Sequence, residues 1–311
     1  MQIFRAGGTV AAVLLAAFPA VFAAPPAAAQ AAPVTASLTL GSPLSRLHHA
    51  AAPLRGSPSL TTLYSSNWAG FIDGVTTTTA KKKTTLISDG ATFTSVSASW
   101  TVPQLQASPA NSVAASWVGL GGVIGPTTQG LLQAGTIEEY VGTTPEYMAF
   151  VEDYPNPVIY LSKVSAKDAI VPGDTVTVTV AYANGAGSVT VSDTTQNWTS
   201  VTPISGSSFP QPNNQSAEWI MEDPECGHSL CTFANVSPTA FTSVMDTASV
   251  YPTSRTPLET MLVKGRTDEV SISPTTIGSA TSSTGNYNSF TITQTGTSGG
   301  GGRHHGPRSG R

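Results

Sequence analysis

Apolar and polar residues alternate with a period of two along much of the chain. Val96, Ala98, Trp100 and Val102 are spaced by serines and a threonine. Val176, Val178, Val180 and Tyr182 repeat the pattern, and Val189 and Val191 resume it after Asn184-Gly185. Such alternation places apolar side chains on one face of a strand and hydroxyls on the other. Asn-Gly between two such runs is a hairpin signal. Phe290 and Ile292 alternate with threonines further on. No segment carries a sustained apolar stripe of helical period. Many short strands divided by Gly, Pro and Asn turns predict an all-β fold, a β-sandwich or jelly roll of two antiparallel sheets.

Both ends depart from this pattern. One cation, Arg5, precedes a nearly uncharged run from Gly7 to Ala24, followed by small residues as far as Ala29. The strongly apolar part, Val10 to Ala23, is shorter than a membrane span and contains Pro19. Residues 1–29 therefore read as a secretory signal peptide, which predicts a secreted, extracellular protein with no membrane association in its mature form. Residues 30–59 are rich in Ala, Pro, Ser and Leu and carry Arg46, His48, His49 and Arg55, which suggests a propeptide or flexible leader. Such a basic leader is expected to cover an acidic cleft until the carboxylates take up protons. Residues 297–311 form a Gly/Arg/His tail. The folded domain is expected over 60–296, a size that one sandwich can fill.

Composition narrows the function. Charged residues are 10% of the 311, against about 25% in an ordinary soluble domain. With 14 Lys+Arg against 18 Asp+Glu, no basic stripe is available for nucleic acid. An apolar content of 40% still supplies a core, so the surface must be polar mainly through hydroxyls. A monomer is expected.

Elimination goes further. The two cysteines, Cys226 and Cys231, flank His228, the one histidine between Leu60 and Gly296. In an exported protein they read as a short-loop disulfide; the alternative is a metal site using both thiolates and His228, which lacks a fourth ligand. A Ser-His-Asp triad needs a histidine facing a serine, and His228 is poorly placed for that. Neither a His-Glu-x-x-His helix nor a Gly-rich nucleotide loop occurs. No cofactor and no metal are implied. Carboxylate and amide chemistry remains.

The densest candidate is Ser216 to Pro224. Read as a strand, it directs Ala217, Trp219 and Met221 towards a core, and Ser216, Glu218, Ile220 and Glu222 the other way. Two solvated glutamates on an edge is the plain alternative. A carboxylate pair also suggests a glycoside hydrolase, but four strand positions separate the two Cα atoms by about 13 Å. Catalytic carboxyls in those enzymes stand about 5–9.5 Å apart, so a bulge would be required. Gln133, in Gly130-Leu-Leu-Gln-Ala-Gly135, is a second candidate, because a buried amide among apolar residues demands partners.

Five segments occur in a telling order: Ser66-Asn67-Trp68-Ala69-Gly70, Ser116-Trp117-Val118-Gly119, Leu131-Leu132-Gln133-Ala134-Gly135, Val151-Glu152-Asp153-Tyr154-Pro155 and Ala217-Glu218-Trp219-Ile220-Met221-Glu222. Together, over roughly Tyr64 to Thr242, they resemble the glutamic endopeptidases or eqolisins (peptidase family G1, also called A4), in a bacterial-type version. The resemblance implies a concanavalin A-like sandwich and a catalytic dyad of Gln133 and Glu222. It also places Trp68, Trp117, Glu152, Tyr154 and Glu218 in the substrate cleft, and matches a disulfide loop after Glu222. Gly121, Met148 and Phe150 depart from the family pattern, which has acidic residues at the first two positions and tryptophan at the third. The implied activity is a secreted acid endopeptidase in which Glu222 activates water and Gln133 steadies the oxyanion. A base of ordinary carboxylate pKa would suit work in acid. The rival is a carbohydrate-binding or glycoside-hydrolase-like sandwich with Trp68, Trp117 and Tyr154 as stacking platforms, or an inactive relative.

Overall fold

The computed structural model describes residues 62–65, 67–80, 83–124, 130–205, 214–226, 229–250, 259–263, 270–276 and 284–294. The expected signal peptide, the leader with its histidines, His228 and the C-terminal tail lie outside the described residues.

Strands dominate. In chain order they are β1 (Thr62–Ser65), β2 (Trp68–Asp73), β3 (Val75–Ala80), β4 (Lys83–Ser88), β5 (Thr92–Thr101), β6 (Ser112–Gly121) and β7 (Leu131–Val141). Then come β8 (Thr144–Tyr154), β9 (Ile159–Tyr160), β10 (Thr175–Ala183), β11 (Ala186–Asp193), β12 (Trp198–Ser205) and β13 (Ala217–Glu222). The last are β14 (Glu225–Cys226), β15 (Ser229–Leu230), β16 (Thr232–Phe233), β17 (Thr239–Val250), β18 (Glu259–Val263), β19 (Val270–Thr276) and β20 (Thr284–Gln294). Helix is confined to one turn at Leu161–Val164 and a 3-10 turn at Ala166–Asp168 among the described residues. No helix there is long and apolar enough to cross a membrane.

Two large sheets form the sandwich. One runs β1-β18-β2-β13-β6-β7-β8-β9, with β16 also on β6; the other runs β12-β11-β10-β5-β17-β20-β19. Pairing is antiparallel except at β1–β18 and β16–β6. The alternating runs behave as their pattern demands. Val96, Ala98 and Trp100 from β5, Val176, Val178 and Val180 from β10, and Val189 and Val191 from β11 all face the core between the sheets. The Asn184-Gly185 turn joins β10 to β11 with φ of 54° and 82°, the left-handed pair that a tight hairpin requires.

Phe71, Val118, Leu132, Ala134, Trp219 and Met221 face the same core from the first sheet. Indole nitrogens stitch the layers together. Trp100 Nε1 donates to Thr136 Oγ1 at 3.1 Å, and Trp219 Nε1 donates to the Ser97 carbonyl at 2.9 Å. The first sheet is buried on its outer face too, where Trp68, Ile72, Trp117, Ile137, Phe150, Tyr160 and Ile220 form a second apolar cluster with Val123, Val158 and Cys231.

Candidate functional site

β13 lies in mid-sheet, between β2 and β6. The edge reading of its glutamates is therefore overturned: Glu218 and Glu222 are 0% and 1% exposed. The two faces divide as the alternation predicts, with Ala217, Trp219 and Met221 in the core and Ile220 in the outer cluster. Register to both neighbours runs unbroken from Ala217 to Glu222. With no bulge, the two carboxylates keep the separation of about 13 Å between Cα atoms that argues against a glycosidase pair.

Glu222 stands opposite Trp68 on β2 and Ala115 on β6. Its Oε2 accepts from Trp117 Nε1 at 2.8 Å, and its Oε1 accepts from Asn67 Nδ2 at 3.1 Å. Trp68 and Trp117 meet edge to face with ring centroids 4.8 Å apart, and both are 0% exposed. A ring with no exposed face cannot serve as a sugar-stacking platform, which leaves half-buried Tyr154 alone of the three aromatic residues of the carbohydrate-binding reading. Burial pushes the Glu222 carboxyl up to about 8; Trp117 and Trp68 pull against that shift, while Asp223 and Glu225 add to it. The ordinary carboxylate pKa expected from sequence is thus corrected by desolvation.

Gln133 lies on β7, with Glu152 directly across on β8 and Gly119 across on β6. Its Nε2 donates to Glu152 Oε2 at 2.7 Å, while its Oε1 has no hydrogen-bond partner. Glu152 is held well above its usual pKa by burial first, then by the charge of Glu222, with the Gln133 hydrogen bond opposing. Glu222 and the Gln133–Glu152 pair therefore share one electrostatic site although they sit on different strands. Tyr154 continues the same face of β8, half-buried against the outer cluster. Tyr160, which sequence did not single out, has its hydroxyl pKa raised by burial and by the charges of Glu139 and Glu152.

Glycines make room for this arrangement. A Cβ at Gly135 would fall 2.0 Å from the Ser116 carbonyl and 2.7 Å from Trp117 Cα. At Gly119 it would meet the Trp117 ring at 3.0 Å and Gln133 Cβ at 3.3 Å. Gly135 thus lets β7 approach β6 closely, and Gly119 leaves room for the Trp117 ring whose Nε1 donates to Glu222.

Glu218 is placed differently. It shares a cross-strand row with Gly119 and Gln133, so by register it is nearer to Gln133 than Glu222 is. Yet both of its oxygens are buried without a hydrogen-bond partner, and burial holds its pKa well above the usual value. Ser216 offsets a little of that shift from nearby without hydrogen-bond geometry. The Cys226–Cys231 disulfide closes the loop after β13 and tucks Cys231 into the outer cluster. With both sulfurs joined, the thiolate metal site is ruled out. Gly121, Met148 and Phe150 are all buried on this sheet, the last two among apolar neighbours.

A family model, described as the peptidase A4 family, matches residues 66–287. The chain belongs to the peptidase A4 family. Aspergillopepsin-2 of Aspergillus niger is 30% identical over 205 residues, which covers 60% of this chain and 65% of that relative's length. Among solved structures, scytalido-glutamic peptidase with a transition state analog inhibitor superposes with a TM-score of 0.53 at 22% identity, covering 74% of this chain and 98% of that one. SCP-B, a member of the eqolisin family of peptidases in a complex with the tripeptide Ala-Ile-His, gives a TM-score of 0.52 at 20% identity, with the same coverage. At that level of identity the likeness establishes the fold: the A4 sandwich.

Proposed function

We propose that this A4 family chain is a secreted glutamic-type endopeptidase that hydrolyses peptide bonds with Gln133 and Glu222. One observation carries the reading: the only glutamate in the family motif with its own donors, Glu222, shares an electrostatic site with the Gln133–Glu152 pair. Export is inferred from the apolar Val10 to Ala23 run behind Arg5. Peptides as substrates accord with the tripeptide held by the SCP-B relative.

The chemistry follows from the groups. Ionised Glu222 takes a proton from water as that water attacks the scissile carbonyl. Gln133 has two amide hydrogens; one is committed to Glu152, and the other steadies the developing oxyanion. Protonated Glu222 then gives its proton to the departing amine. A base raised above the usual glutamate value is a stronger acceptor, but it is ionised only at higher pH. Trp117 and Asn67 donate to the charged form, yet the carboxyl still stands at about 8 with its donors in place, so cleavage is expected to rise with pH across the acid range.

Digestion of casein by the purified protein between pH 3 and pH 7 tests this. Cleavage is expected to persist with pepstatin, metal chelators and serine- or cysteine-directed reagents. Intact casein at every pH, or a block by chelator, overturns it.

A further inference from the structure

Asn67 precedes Trp68 at the start of β2, beside the end of β13. It grips that end twice: its carbonyl accepts from the Asp223 amide at 2.9 Å, and its Nδ2 donates to Glu222 Oε1 at 3.1 Å. The other carboxylate oxygen belongs to Trp117 Nε1. With Asn67 on one oxygen and Trp117 on the other, and Asn67 only 4% exposed, the plane of the carboxylate is set from the residue before β2 and from β6. We propose that Asn67 is a positioning residue that aims Glu222 and favours its ionised form during peptide hydrolysis. The inference rests on the reading of Glu222 as the base.

The charge balance around Glu222 gives this donor its weight. Asp223 and Glu225 follow it along the chain, and each favours the protonated form; Glu152 on β8 feels the Glu222 charge in turn and is itself raised by it. β2 and β6 contribute no ionisable group to this contact, only the neutral donors Asn67, Trp68 and Trp117. A hydrogen bond to the charged form lowers a carboxyl pKa, and its loss raises it. In a buried site the stranded oxygen also loses its desolvation partner.

The experiment is the pH profile of kcat/KM on a peptide substrate for the full chain and for Asn67→Ala, Asn67→Asp and Glu222→Gln. The expected result for Asn67→Ala is an acid limb about one pH unit higher, hence a roughly tenfold loss on the acid side and a much smaller one at the plateau. Asn67→Asp keeps the shape and can donate only while its carboxyl is protonated. It is expected to retain activity in acid and to lose it as pH rises, where the wild type climbs to its plateau. This variant also carries the test where the alanine variant does not fold. A profile that coincides with wild type in limb position for either folded variant overturns the inference, whatever the drop in overall rate. Should Glu222→Gln be fully active, the base assignment fails and this inference falls with it. Should it be inactive while the Asn67 profiles stay unshifted, only the positioning role fails.

Discussion

At the scale of single residues, the site is an exercise in holding polar atoms inside an apolar cluster. Gln133 and Glu152 share a 2.7 Å hydrogen bond, and Glu222 rests on two N–H donors. A buried amide is costly unless partnered, so the exchange with Glu152 also fixes which way the Gln133 amide faces. Gln133→Ala should lower kcat about 10²–10³-fold with little change in KM, the effect of losing one oxyanion donor. Steady-state kinetics measures this, and a loss confined to KM would assign Gln133 to substrate binding instead. The face carrying Glu218, Ile220 and Glu222 was legible from alternation alone. The partnership of Asn67 was not, because it depends on β2 lying against β13 across a long stretch of intervening sequence.

At the scale of elements, legibility followed exposure. β10 and β11 alternate valine with threonine or serine, because one face meets the core and the other is partly wet. β6, by contrast, is buried at all ten positions, so no polar face marks it as a strand, and its Trp-Val-Gly segment stood out only through the family resemblance. The same double burial hid the fact that β13 is a central strand: whether a glutamate strand lies at an edge is decided by its neighbours. Packing on this sheet is tight where β6 meets β7. Gly135→Ala would drive a Cβ to within 2.0 Å of the Ser116 carbonyl, backbone that cannot yield locally. Overpacking of this kind costs about 1–3 kcal/mol, and more against backbone. A fall in Tm of roughly 5–10 °C is expected by calorimetry. An unchanged Tm would show that the β6–β7 ladder can spread.

At the scale of the molecule, the unusual feature is a set of carboxyls buried in a fold with few charges. Glu138 sits on the inner face of β7 with both oxygens unpartnered, and burial raises its pKa from 4.5 to about 8. Glu152 and Glu218 are raised as well. A folded pKa above the unfolded one gives stability that is full below the unfolded value and is lost as pH rises through the folded value. For Glu138 that window runs from 4.5 to about 8. The protein is therefore expected to be most stable in acid and to lose several kcal/mol towards neutrality. Glu138→Gln, which cannot ionise, should flatten the denaturation midpoint over that window, and a midpoint equally steep in pH would exclude Glu138 as the cause. Several raised carboxyls also mean that titration alone cannot identify the base. The decisive measurement is kcat/KM of Glu222→Gln beside Glu218→Gln on one peptide substrate near neutral pH, where the wild-type base is ionised to the greater extent, with circular dichroism confirming both folds. The account predicts a loss of at least about 10³-fold for Glu222→Gln and less than about tenfold for Glu218→Gln, since general-base catalysis alone contributes about 10²–10⁴. An active Glu222→Gln beside an inactive Glu218→Gln would contradict it, and would move the base into the cross-strand row of Gln133.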